Sequence, residues 1–147
     1  MKYSVETIKK ILIPTDGSDY SLHAAEYGLS LAKQHNAQIT IMYVLDEVVI
    51  DRFTHVTERE DIEKNLKEDG QHYVNFVLGL AEKTGVKANS LIVKGRPFEQ
   101  IVHIANGLNM DLIVMGTYGR RGADRILIGS VAERVIEYAH CPVLVVK

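Results

Sequence analysis

Four residues near the C-terminal end of the chain carry the spacing that best fits chemistry: Gly116-x2-Gly119-x9-Gly129-Ser130. The apolar run Asp111-Leu112-Ile113-Val114-Met115 leads into this pattern, and a helical pattern follows it. A strand, a glycine-rich loop and a helix start in that order present backbone N–H groups to an anion. Glycine lets a ligand approach the main chain with no Cβ in the way. Ser130 either donates its hydroxyl to a phosphate or points inward as a helix N-cap. The intervening arm holds Arg120, Arg121 and Arg125, tempered by Asp124. One of Arg120 and Arg121 is expected to reach a polyphosphate, the others to be solvated. The plain alternative is a βα loop whose glycines only relieve strain.

A second loop, Pro14-Thr15-Asp16-Gly17-Ser18, follows the first apolar run. Asp16 offers a carboxylate to a purine, a ribose hydroxyl or a metal, and equally suits a turn or capping role. Val44-Leu45-Asp46-Glu47 offers an apolar wall and amides to an adenine edge, with Asp46 and Glu47 read as loop solvation. Catalytic signatures are missing. There is no G-x-x-x-x-G-K-[ST] loop, no G-x-G-x-x-G, and no nucleophile elbow. The six histidines are scattered without metal-ligand spacing, so no metal ligands and no catalytic residues are assigned. Cys141, the sole cysteine, reads as a small apolar residue beside Pro142.

The elements that must position these loops alternate between strand-length apolar runs and segments of helical period, which implies a parallel sheet with crossover helices. Strands are expected over 10–14, 38–45, 89–94, 111–115 and 142–146, buried on both faces. Leu22, Ala25, Leu29 and Ala32 make one stripe of a helix over 19–35. A longer helix opens at Thr57 with Glu60 as a capping box and ends near Gly85. A third starts at Pro97 and carries Ile101, Ile104, Ala105 and Leu108. A fourth opens at Ser130 with Glu133 three residues on, its inner stripe Val131, Val135, Ile136 and Ala139. The stretch 47–56 is expected as an irregular loop, with Val48, Val49, Ile50 and Phe53 packing on the chain's own domain or serving a lid or partner. In a doubly wound sheet of order 3-2-1-4-5, ligands bind beyond the carboxyl ends of the first and fourth strands. Both informative loops fall there.

At 147 residues, with 46% hydrophobic and 24% charged, the chain is expected to be one soluble domain over 1–147. A net charge of −2 argues against broad nucleic-acid binding. No apolar run approaches the roughly 20 residues of a membrane helix, and the first residues lack signal-peptide order. With a single cysteine, a cytoplasmic location is expected.

Taken together, Ile11-Leu12-Ile13-Pro14-Thr15-Asp16-Gly17-Ser18, Tyr43-Val44-Leu45-Asp46, the glycine signature with Val131-Ala132-Glu133-Arg134-Val135, and the closing 139–146 resemble the universal stress protein family over nearly the whole length. The resemblance implies an α/β, doubly wound five-stranded parallel sheet with helices on both faces, the adenine nucleotide alpha hydrolase-like fold. With the glycine signature complete, it also implies the ATP-binding branch. Carried over by position, Pro14, Thr15, Asp16 and Val44 surround adenine, Met115 and Gly116 meet ribose, and Gly119, Arg120, Gly129, Ser130 and Val131 take the phosphates. ATP, or ADP or AMP, is then the ligand, with Mg2+ or Mn2+ carried on the phosphates. Dimerisation through the apolar terminal strand Val143–Val146 is implied too.

The leading reading is an ATP-binding regulator of the stress response with little or no turnover. Its rivals are an adenine-nucleotide hydrolase or transferase using Asp16 or Asp46, and a dimeric scaffold with a vestigial loop.

Overall fold

The computed structural model describes residues 7–118 and 128–147. Gly119, Arg120, Arg121, Asp124 and Arg125 lie outside the described residues. The elements are β1 (Lys10–Pro14), α1 (Asp19–His35), β2 (Gln38–Asp46), α2 (Glu47–Ile50), α3 (Val56–Thr84), β3 (Ala88–Gly95), α4 (Pro97–Gly107), β4 (Leu112–Gly116), α5 (Ser130–Tyr138) and β5 (Val143–Val146). All strand pairs are parallel, in the order β3-β2-β1-β4-β5. The fold expected from the sequence is therefore the observed one.

Alternation along each strand divides the core. Ile11, Ile13, Ile39, Ile41, Tyr43, Leu112 and Val114 face α1 and α3, where Ala25, Leu29, Val74 and Val77 meet them. Leu12, Met42, Ile113 and Met115 face the other way, onto Ile101 and Ala105 of α4 and Ala132 and Val135 of α5. Successive side chains of a strand point to opposite faces, so continuous apolar runs build both layers at once. Burial on both faces holds for β1, β4 and most of β2. The edge strands β3 and β5 are mostly half-buried, because among the described residues each has a neighbour on one side only.

Local chemistry fixes the helix ends, with some departures from expectation. Ser18 caps α1 and accepts from the Ser21 amide, and Asn36 closes that helix in the left-handed region. Pro97 opens α4 as expected. The Thr57 capping box does not form: α3 starts at Val56, and its N-cap, His55, makes no side-chain bond. Ser130 is likewise not a cap. Gly129 holds that position, which puts Glu133 one residue too far along the helix to reach back.

Stripes shift for geometric reasons. Ala132 and Val135 of α5 are buried three residues apart, whereas Ile136, rotated by about 100° from Val135, is 48% exposed. Leu108 ends α4 and is 41% exposed. Finally, 47–56 is not wholly irregular. The Asp46 carboxylate accepts from the Val48 amide at 2.9 Å and caps α2, and Ile50 is buried in the core at 1% exposure. Asp46 thus serves as a cap, a role that the sequence reading of loop solvation did not include.

Asp111 stands just before β4 and binds across to β1, its Oδ2 accepting from the amides of Lys9 and Lys10 at 2.9 Å each. Among the described residues no helix is long and apolar enough to cross a membrane.

Candidate functional site

The strand order reverses between β1 and β4, and the two loops singled out in the sequence leave the carboxyl ends of those neighbours. Beyond β1, the Thr15 amide donates to Met42 O at 2.8 Å, tying the loop to β2. Buried Thr15 and Ser21 share a hydroxyl–hydroxyl bond of 3.1 Å. Asp16 Oδ1 accepts from the Ser18 amide at 2.9 Å, the Asx turn that sequence left open beside a ligand role. Ser21 Oγ in turn donates to Ser18 O at 2.9 Å. The serine at i+3 from a capping serine was the available signal for Ser21, and sequence reading missed it.

Beyond β4, both the amide and the hydroxyl of Thr117 donate to Val146 O at 3.0 Å. Gly116 is buried so close to the first turn of α1 that a Cβ there would stand 2.8 Å from the Tyr20 carbonyl carbon. The Tyr20 and Tyr118 rings meet edge-on with centroids 5.2 Å apart. These contacts lock the end of β4 onto the start of α1. Thr117 and Tyr118 went unassigned in the sequence, although a hydroxyl directly after an all-apolar strand was a usable signal.

Across the arm, the Gly129 amide donates to Thr117 O at 2.6 Å. A Cβ on Gly129 would lie 2.8 Å from the same oxygen, so close approach demands glycine. That amide is therefore committed to the protein. The first intrahelical bond of α5 runs from the Glu133 amide to Gly129 O. The N–H groups of Ser130, Val131 and Ala132 thus have no acceptor inside the helix. Ser130 is exposed, and Val131 is half-buried against the α4/α5 core.

Of the sequence candidates, Pro14, Thr15 and Asp16 lie at the end of β1, Met115 and Gly116 at the end of β4, and Gly129, Ser130 and Val131 at the head of α5. Val44 lies on β2, on the same sheet face as Met42 and Met115. Gly119 and Arg120 lie outside the described residues. No three His, Cys, Asp or Glu side chains gather as a metal-binding group among the described residues. Cys141 is half-buried, and burial pushes its thiol above the ordinary 9.0, outweighing a hydrogen bond to the backbone. It is a poor nucleophile at neutral pH.

The universal stress protein family model matches residues 7–147. Universal stress protein MJ0531 of Methanocaldococcus jannaschii is 48% identical over 139 residues, covering 95% of this chain and 82% of that protein. The solved structure of hypothetical protein MJ0577 is 34% identical with a TM-score of 0.87, covering 97% of both chains. A family protein from Arabidopsis thaliana with AMP bound is similar in fold, at 19% identity and a TM-score of 0.67, over 95% of this chain and 91% of that one. The chain belongs to the universal stress protein family.

Proposed function

We propose that this protein is a nucleotide-responsive regulator of the ATP-binding branch, holding ATP, ADP or AMP beyond the carboxyl ends of β1 and β4. The observation that carries the reading is the head of α5. Three backbone N–H groups without intrahelical partners, on Ser130, Val131 and Ala132, stand beside the end of β4, which the Gly129 to Thr117 bond pins in place. The positive end of the helix dipole adds to their pull on an anion.

Pro14, Thr15, Asp16 and Val44 then border adenine, Met115 and Gly116 the ribose, and Gly119, Arg120, Ser130 and Val131 the phosphates. Gly129 contributes shape and not an amide. Mg2+ or Mn2+ accompanies the phosphates, with few direct protein ligands. The AMP carried by the Arabidopsis neighbour accords with an adenine ligand, though the likeness there is one of fold. Little or no turnover is expected: Asp16 Oδ1 is used in a turn and Asp46 Oδ1 in a helix cap, so each carboxylate has a structural task.

The reading extends to a cytoplasmic homodimer. Among the described residues β5 pairs with β4 alone, which offers its outer edge to a second copy. The test is thermal unfolding with and without excess ATP and magnesium. A ligand bound only by the native state raises the midpoint by mass action, roughly 2.7 kcal/mol at a hundredfold excess over Kd. An unmoved midpoint at millimolar ATP contradicts the proposal.

A further inference from the structure

The loop that carries Asp16 is braced from behind by an aromatic ladder. Gly17 has φ +83°, a conformation that only glycine adopts without strain. A Cβ built on it would fall 2.3 Å from Cε2 and Cζ of Tyr73, so that ring lies directly against the Gly17 backbone. Tyr73 comes from the middle of α3 and packs in turn on Tyr43 of β2, with centroids 6.2 Å apart and planes inclined at 33°. Tyr43 is 3% exposed. Its ring is admitted by Gly70, one turn before Tyr73, where a Cβ would stand 2.4 Å from Cδ1. The His72 ring meets Tyr73 edge-on at 5.8 Å. Two glycines, one in the loop after β1 and one on α3, are thus shaped to two tyrosine rings, and the path runs from the buried face of β2, through α3, to the residue after Asp16.

The bonds of the loop itself do not replace this brace. Thr15 is fixed to Met42, Ser18 to α1 and the Asp16 carboxylate to the Ser18 amide, but Gly17 between them reaches the Thr15 hydroxyl only at 3.4 Å. Glycine without a neighbouring ring would sample several backbone wells. The peptide between Asp16 and Gly17 would move with it, and with it the Asx turn that aims the Asp16 carboxylate.

We propose that Tyr73 is a positioning residue for base recognition: its ring holds Gly17 in the left-handed turn and so sets Asp16 against the adenine edge. This rests on the nucleotide reading above, and it assigns α3 a part in specificity. A site held one ångström too loosely loses discrimination before it loses the fold.

The test compares wild type with Tyr73→Leu and Tyr73→Phe by calorimetric titration of Mg·ATP and Mg·GTP, well below the melting point of each. For Tyr73→Leu, a rise of about tenfold in the ATP Kd is expected, with the ratio of GTP to ATP Kd falling toward unity. Tyr73→Phe, which keeps the ring, should restore both. A role limited to stability would lower the melting point of Tyr73→Leu and leave the ratio unchanged, and that result overturns the proposal. Gly17→Ala, which drives the ring off the loop, should lose discrimination with Tyr73 present and decides the matter should Tyr73→Leu fail to fold. If wild type binds no nucleotide, the functional reading fails by itself. Faster amide hydrogen exchange at Gly17 in the ligand-free Tyr73→Leu protein then still supports the brace, and unchanged exchange refutes it.

Discussion

The amide of Gly129 and the carbonyl of Thr117 face each other at 2.6 Å, closing the glycine arm at its two ends. This bond changes what the glycine signature means. Gly116 and Gly129 are both required by close approach to backbone, Gly116 to Tyr20 and Gly129 to Thr117. The open donors lie one step further on, at Ser130, Val131 and Ala132. The glycines build the frame in which those donors sit.

Gly129→Ala should therefore damage the fold as well as the site. Its φ of −71° permits alanine, so the cost is the clash with backbone, Thr117 O at 2.8 Å first and Tyr118 Cα at 3.3 Å second. A loss of about 1–3 kcal/mol is expected for overpacking against a backbone that has little room to yield. Urea unfolding measures it, and a change under about 0.5 kcal/mol, the usual range of neutral surface substitutions, would show that the junction is loose.

Ser130→Ala should separate the two roles that the sequence left in competition. Because Gly129 occupies the cap position, removing the Ser130 hydroxyl should alter stability by less than about 0.5 kcal/mol. It should weaken Mg·ATP binding by about 1 kcal/mol if the hydroxyl meets a phosphate. Parallel urea unfolding and calorimetry check both halves. A stability loss near 1 kcal/mol would mean that Ser130 caps the helix after all.

Asp111→Ala should loosen the start of the sheet, since one carboxylate oxygen holds the Lys9 and Lys10 amides. The expected loss is about 1.5–3 kcal/mol, the range for hydrogen bonds to a charged group. Hydrogen exchange at those two amides should accelerate, whereas exchange in α3 should not.

Burial raises the folded-state pKa of Cys141 above its unfolded value. From about pH 9 upward the unfolded chain releases this proton before the native one does, so stability should fall as pH rises through the native pKa. Below that window the contribution is fully present. Iodoacetamide labelling should be slow at pH 7 and accelerate above pH 9, and Cys141→Ala should remove this group's share of the alkaline slope.

Val145→Pro tests the edge pairing. The amides of Ile113 and Thr117 donate to the carbonyls of Pro142 and Val146, so even-numbered β5 residues face β4 and the Val143 and Val145 amides face outward. Proline at 145 deletes an outward donor without removing a bond to β4. Light scattering should then report a monomer with the circular dichroism of the wild type. A dimer that persists would place the contact elsewhere.

Fold and site differ in how far the sequence reveals them. The apolar runs of β1, β2 and β4 are long enough for alternation to fill two layers, so strand number, direction and order were legible from periodicity and resemblance. Helix starts were not. Thr57 and Ser130 each head a capping-box pattern, yet the N-caps are His55, two residues before Thr57, and Gly129, one residue before Ser130, so neither box is in register with its helix. At the site, Asp16 and Gly129 were readable as residues of interest. That Asp16 closes a turn and that the Gly129 amide is already bonded depend on the approach of chain segments distant in sequence. Tyr73 lies 56 positions beyond Gly17 in the chain, and no local spacing joins them.

The most direct test of the anion seat is a 15N–1H NMR titration of the protein with ATP and magnesium. The amide signals of Ser130, Val131 and Ala132 should shift together and saturate, while Gly129, bonded to Thr117, moves least among the four. If ATP binds and these three signals stay fixed, or if no amide in the protein responds at millimolar nucleotide, the seat at the head of α5 is refuted.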